Sequence, residues 1–305
     1  MSPAAIEVSG LRKTYGSLEA VKSVDLRVEQ GEVFALLGPN GAGKTTTVEI
    51  LEGHRDRSGG DVSVLGHDPG KGEQSYRRRI GIVLQETGMQ PYLTVAETIE
   101  LFRGLYPHPR PLDEVIQVVG LEEKRKERVQ KLSGGQRRRL DVAIGLAGDP
   151  ELLFLDEPTT GFDPSARHKA WDMVKNLKTL GKTVFLTTHY MDEAQHLADR
   201  VAIIVQGRIV AEGAPDILTT RDPDTRIRFR RPSAPELPAT LASPASRDGD
   251  QMEITTPEPT RMLQRLTSWA MEHDLELEGL TVTRASLEDI YLELTRAGAD
   301  EVPSA

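Results

Sequence analysis

Cysteine is absent from this 305-residue chain, which excludes a disulfide framework, a thiol nucleophile and a cysteine-ligated metal. Long apolar runs are missing as well. The longest, such as Val201 to Val205, are strand-sized, far short of the roughly 18 residues that read as a membrane span. The opening MSPAAIEVSGLRKTYG lacks the apolar stretch of a secretion signal. Basic excess is lacking too: 38 Lys and Arg stand against 47 Asp and Glu, a formal charge of −9. A dedicated DNA or RNA binder carries the opposite balance. These absences lead us to expect an intracellular protein whose work at any membrane is done from the cytoplasmic face.

What is present is organised. From Ile6 to Val28, short β-rich runs broken by turn residues predict an antiparallel sheet. EVFALLG, Glu32 to Gly38, is nearly all apolar and reads as a strand buried on both faces. A Gly-rich loop and a helix from Lys44 to about Glu52 follow it. GDVSVLG and RRIGIVLQ predict two more strands. Thr94 to Lys131 reads as helical, interrupted by PHPRP at Pro107 to Pro111. Helices then alternate with the strands ELLFLDE, TVFLTTH and RVAIIV, a pattern that implies crossovers and a parallel sheet. The expected fold class is α/β: a nucleotide-binding domain over residues 1–220 with a helical insertion at about 87–135. Past Thr220 the composition shifts to Pro, Ser and Asp. Strand-like TRIRFR, MEITT and LELEGLTVTR and helix-like TRMLQRLTSWAMEH and SLEDIYLELTR still predict a small α/β domain over 221–305, with Pro-rich loops.

Gly38-Pro39-Asn40-Gly41-Ala42-Gly43-Lys44-Thr45 satisfies the phosphate-loop pattern G-x-x-x-x-G-K-[ST]. Glycines let backbone amides turn inward around phosphates, Lys44 reaches the β- and γ-phosphates, and the Thr45 hydroxyl ligates Mg²⁺. Thr46 continues the loop into the helix. Asp156 and Glu157 end an apolar strand, at the edge where open parallel sheets bind ligands. Their side chains point in opposite directions, which suits two jobs: Asp156 holding Mg²⁺ through water and Glu157 polarising the attacking water. Leu132-Ser133-Gly134-Gly135-Gln136 is by itself a helix-leading turn with Ser133 as N-cap. Its place about twenty residues before LLFLDEP makes it specific.

Together these strings resemble the ATP-binding cassette family, the motor subunits of ABC transporters, over roughly Ile6 to Pro215. The resemblance implies an ATPase in which Ser133, Gly134, Gly135 and Gln136 of one protomer close over ATP held by Gly38 to Thr46 of another. It also implies roles for four further residues: Tyr15 would stack on adenine, and Gln85 would sense the γ-phosphate and help ligate Mg²⁺. Asp163 would act across the dimer seam, and His189 would contact the γ-phosphate. Phe162 stands where the family more often has Leu. The C-terminal ASLEDIYLELT, with Leu287, Ile290, Tyr291 and Leu294 on one helical face, is similar to the daunorubicin-resistance type of bacterial exporters. One intact set of motifs in the chain makes a homodimer the simplest assembly, with a heterodimer with another cassette the other option, and the subgroup implies a separate membrane permease that exports a drug, antibiotic or lipid-like compound. The alternative is a soluble cassette acting on nucleic acid or ribosomes. The arginine clusters at Arg77 to Arg79, Lys124 to Arg128 and Arg137 to Arg139 would serve it. Flanking acids favour reading them as solvated helix faces instead.

Overall fold

The computed structural model describes residues 4–83, 88–220, 225–230, 237–238, 241, 245–248, 250–284 and 287–292. The chain forms two compact units that divide between Pro215 and Asp216.

In the larger unit, β1 (Ala4–Tyr15) and β2 (Leu18–Glu29) pair antiparallel, and β4 (Gly59–Val64) joins the other side of β1. Alternation sends Ile6, Val8, Val24, Leu26 and Val28 inward. A second, six-stranded sheet is built from β3 (Val33–Leu37), β5 (Ile80–Val83), β6 (Leu152–Asp156), β7 (Thr183–Thr188), β8 (Arg200–Val205) and β9 (Arg208–Gly213). Its order is β5-β6-β7-β3-β8-β9, parallel throughout except for β9, which returns as a hairpin with β8. β3 and β7 are buried at every residue, as runs covered on both faces must be. Phe34 and Phe154 flank Phe185 at centroid distances of 5.6 and 5.8 Å, joining three strands in one core with Ile6, Leu11 and Val28.

The turn between β8 and β9 holds this unit together at one corner. Gln206 and Gly207 both have positive φ, 48° and 81°, the requirement of a tight two-residue hairpin. The Gly207 amide donates to Ala42 O at 2.9 Å, and its carbonyl accepts from the Lys22 amide at 2.7 Å. A Cβ on Gly207 would come within 2.7 Å of Ala20 O. The turn thereby stitches the loop after β3 to the antiparallel sheet.

Helices lie along the chain at α1 (Lys44–Leu51), α2 (Gln74–Arg77), α3 (Val95–Arg103), α4 (Leu112–Val118), α5 (Gly134–Leu146), α6 (Pro164–Thr179), α7 (Met191–Leu197) and α8 (Pro215–Thr220). α3 and α4 are the two helical segments expected on either side of PHPRP. Among the described residues no helix is long and apolar enough to cross a membrane.

The smaller unit is a four-stranded antiparallel sheet in the order β11-β12-β10-β13: β10 (Thr225–Arg230), β11 (Ala245–Asp248), β12 (Gln251–Thr256) and β13 (Thr281–Arg284). One helix, α9 (Pro259–Glu272), packs Leu266, Trp269 and Ala270 against Ile227, Phe229, Met252 and Ile254. Two expectations change here. LELEGLTVTR is a strand only over its last four residues, because the chain turns through Gly279 at φ 67°. The Pro-rich loop region expected ahead of MEITT contains a further strand, β11, whose polar sequence shows no apolar alternation. Leu287 and Ile290 are buried, as their shared helical face requires; Leu294 lies outside the described residues.

Candidate functional site

The order β6-β7-β3 brings three parallel C-terminal ends side by side. Asp156 pairs in register with Thr187, and Leu37 with Thr188. The residues that follow these strands are Glu157, His189 and Gly38, so segments distant in sequence meet at one sheet edge.

The loop after β3 keeps its backbone close to β8. A Cβ on Gly38 would sit 2.4 Å from Ile204 O, and one on Gly43 2.7 Å from Ala20 O. Gly41 and Gly43 also have φ of 79° and 103°, a region that disfavours side chains. Lys44, 6% exposed, donates to Gly38 O at 2.7 Å and Pro39 O at 3.2 Å. Burial pulls its ammonium below the ordinary lysine value, and the negative charges of Glu157 and Asp156 pull it back. Thr45 is exposed at the first turn of α1, while Thr47 turns inward and donates to Gly43 O at 2.8 Å.

Glu157 takes φ 45°, a left-handed conformation that strains a residue with a side chain by about 1–3 kcal/mol. Its amide is held by the Thr187 carbonyl at 3.2 Å and the Thr187 hydroxyl at 3.1 Å. That hydroxyl donates to Asp156 Oδ1 at 2.5 Å, so Thr187 fixes both acids at once. The Glu157 carboxylate, 12% exposed, accepts from the Thr160 hydroxyl at 3.0 Å. Its Oε1 lies 3.8 Å from Lys44 Nζ and 3.2 Å from His189 Nδ1. The His189 nitrogen is near enough for an ion pair but not aligned for a hydrogen bond. Its ring packs on Tyr190 at 4.1 Å, and Arg167 covers Tyr190 at 4.6 Å.

Ser133 caps α5 through a reciprocal box: Gln136 N donates to Ser133 Oγ at 3.3 Å, and Ser133 N donates to Gln136 Oε1 at 3.0 Å. Asp163 caps α6 by accepting from Ala166 N at 2.9 Å. Ser133, Gly134, Gly135 and Asp163 line a cavity of about 690 Å³ that Glu157 also borders. The loop from Gly38 to Thr46 supplies none of its described walls. Tyr15 ends β1 with its ring 38% exposed, and Lys13 and Arg55 stand 5.1 and 5.3 Å from the ring centroid. Gln85 lies outside the described residues, as do the three around it at 84, 86 and 87.

Sequence reasoning missed Thr187, Thr160 and Arg138. Arg138 belongs to a cluster expected to be a solvated face, yet it is 7% exposed and donates to Asp156 O at 2.5 Å. Arg139 donates to Val119 O at 3.1 Å and to Gly120 O, and Arg79 pairs with Glu151. Arg138 and Arg139 are thus engaged internally, which corrects the solvated reading for these two, whereas Arg77, Arg78, Lys126, Arg128 and Arg137 are exposed, as that reading expects. The FLTT run before His189 was the available signal for Thr187, since polar residues on a buried strand need partners.

The chain's similarities match this geometry. The ABC transporter family profile matches residues 21–160, and a second, the ABC transporter domain-containing protein-like C-terminal domain, matches 225–286. The daunorubicin/doxorubicin resistance ATP-binding protein DrrA of Streptomyces peucetius is 38% identical, over 97% of this chain and 94% of that protein. The Nod factor export ATP-binding protein I of Ralstonia nicotianae is 36% identical, over 95% of this chain and 93% of that protein. Among solved structures, an ATP-binding cassette in a dimeric post-hydrolysis state bound to ADP and Pi superposes with a TM-score of 0.60. It shares 27% identity, and the match covers 68% of this chain and 98% of that one.

Proposed function

This chain belongs to the ATP-binding cassette (ABC) transporter family, and from that premise we propose how its residues divide the work of an ATP-driven exporter. As a family member it is an ATP-binding and ATP-hydrolysing subunit. The observation that carries the finer reading is the meeting of Lys44, Asp156, Glu157 and His189 at three adjacent strand ends.

The amides of Gly38 to Thr46 wrap the phosphates, and Tyr15 offers its exposed ring to adenine, a stack worth about 1–3 kcal/mol. Lys44 exchanges its loop carbonyls for phosphate oxygens. Thr45 and Asp156 are hard oxygen donors suited to Mg²⁺, which keeps few protein ligands; Gln85 would be the third. When bound, Mg²⁺ supplies charge neutralisation on the phosphates. Asp156, anchored at Oδ1 by Thr187, is fixed for that task. Glu157 orients a water and takes its proton as the water oxygen bonds to the γ-phosphorus and the bond to the ADP oxygen breaks. His189 donates to the γ-phosphate.

The signature turn's cavity excludes the phosphate loop of the same chain, which supports a site completed by a second copy. Ser133, Gly134, Gly135 and Gln136 then face the partner's ATP, with Asp163 at the seam, and two ATP are enclosed head to tail. The names of DrrA and the Nod factor exporter support export of a drug, antibiotic or lipid-like compound through separate membrane permease subunits that hold this chain at the cytoplasmic face. Residues 221–305 act as an accessory domain.

Glu157→Gln tests the scheme. Its ATP affinity should stay near that of the natural chain while turnover falls about a hundredfold or more, and light scattering should show an ATP-dependent dimer. Monomeric behaviour in saturating ATP would overturn the two-copy site.

A further inference from the structure

Behind the strand ends lies a carboxyl that the scheme above leaves idle. Glu193, in the first turn of α7, is 0% exposed. Neither of its oxygens has a hydrogen-bond partner, and the buried hydroxyl of Thr159 has none either. The groups close enough to stabilise its charge are the hydroxyls of Thr188 and Thr159, though neither is aligned for a bond. Thr188 Oγ1 already accepts from Tyr190 N at 3.0 Å, so its own hydrogen is free to turn toward Glu193. These two threonines are not arbitrary neighbours. Thr159 stands two residues past Glu157 at the start of the turn that leads to Asp163, and Thr188 immediately precedes His189.

We propose that Glu193 is a positioning residue: its carboxyl bridges Thr159 to Thr188, so that the turn carrying Asp163 and the strand end carrying His189 move as one piece. The inference rests on the ATPase reading above. It gives a route by which engagement of the turn by a second copy reaches the γ-phosphate. A neutral acid completes the bridge in full. One oxygen accepts from Thr188, and the O–H donates to Thr159. Burial, the dominant influence, pushes the Glu193 carboxyl above its ordinary value, the two hydroxyls pull it down, Asp192 on its own helix pushes it up, and Arg167 of α6 pulls it down. Arg138 of α5 also feels its charge. The strands packed on α7, Val33–Leu37 and Thr183–Thr188, carry no titratable side chain, and His189 lies just beyond. The neutral bridge is therefore present at lower pH and is lost as pH rises through the raised value.

The test measures ATP affinity, kcat against pH and melting temperature on the full-length chain. Glu193→Gln, which keeps a donor and an acceptor without charge, should hold kcat within about twofold at neutral pH and lose any alkaline decline that Glu193 causes. Glu193→Ala should keep ATP affinity within about threefold while kcat falls about tenfold. Wild-type kcat in Glu193→Ala, or equal losses in both variants, would overturn the bridge. If Glu193→Ala does not fold, Thr159→Val decides: a fall in kcat at unchanged affinity supports the bridge, and unchanged kcat overturns it. A natural chain that binds ATP without any turnover would instead refute the ATPase reading, and the bridge with it.

Discussion

In the small C-terminal unit the arginines of β10 all find acids: Arg226 pairs with Asp289, Arg228 with Glu253 at 2.5 Å, and Arg230 with Glu278 at 2.7 Å. In the larger unit, buried polar atoms without hydrogen-bond partners concentrate on Thr159, Arg167, Trp171, His189 and Glu193, all between the end of β6 and α7. Among the described residues every such atom lies in that larger unit. A satisfied polar group fixes a shape, whereas an unsatisfied one stores a preference for a different arrangement. The contrast places most of the unpaired polar atoms beside the strand ends of the site and none among the described residues of the small unit. The strained backbone of Glu157 belongs to the same region.

Three substitutions would sharpen or break that contrast. The largest effect is expected from Lys44→Ala. Removing the buried ammonium should cut ATP turnover by about a hundredfold to a thousandfold, as loss of a charge-stabilising donor does. Steady-state phosphate release would measure it, and a change under tenfold would mean that Lys44 serves the loop rather than the phosphates. Next, Trp269→Ala should destabilise the small unit by about 3–5 kcal/mol, since it empties a core position. ATP turnover at 25 °C should remain within about twofold wherever the variant stays folded. A parallel loss of turnover would show that turnover depends on the small unit.

The last test is read in stability alone and concerns Glu52, 5% exposed at the end of α1, whose carboxyl burial pushes up to about 8, helped by the charges of Asp156 and Glu49. The folded chain therefore holds a proton that the unfolded chain releases above the ordinary glutamate value of 4.5. Stability from this group is full below that value and declines as pH rises toward about 8, with a slope near 1.4 kcal/mol per pH unit. Glu52→Gln should flatten the decline in chemical denaturation across pH 5 to 8. Parallel curves for the two proteins would show that Glu52 stays charged.

The parts of this molecule that sequence made legible are those where one residue type has one physical use. VFALL and LLFL are apolar throughout because both faces are covered, and the glycines at 38 and 43 sit where a Cβ would strike backbone. The parts that stayed hidden are polar residues in apolar company. Arg138, Glu52 and Glu193 look like surface positions to any hydrophobic periodicity, and only the packing of distant strands reveals them as interior. β11 stayed hidden for the converse reason: its pairing with β12 gives strand order to a segment whose side chains carry no pattern. The shared role of Thr187 was likewise out of reach, since register between β6 and β7 sets it.

The hairpin at Gln206 and Gly207 has a practical side. By sequence it is a surface turn, the kind of place chosen for splicing in a reporter or an affinity handle. Its amide and carbonyl, however, are the rivets between Ala42 in the phosphate loop and Lys22 in the antiparallel sheet. An insertion there would detune the nucleotide cradle from outside, and a ligand that gripped this turn would have a handle on ATP without ever competing with it.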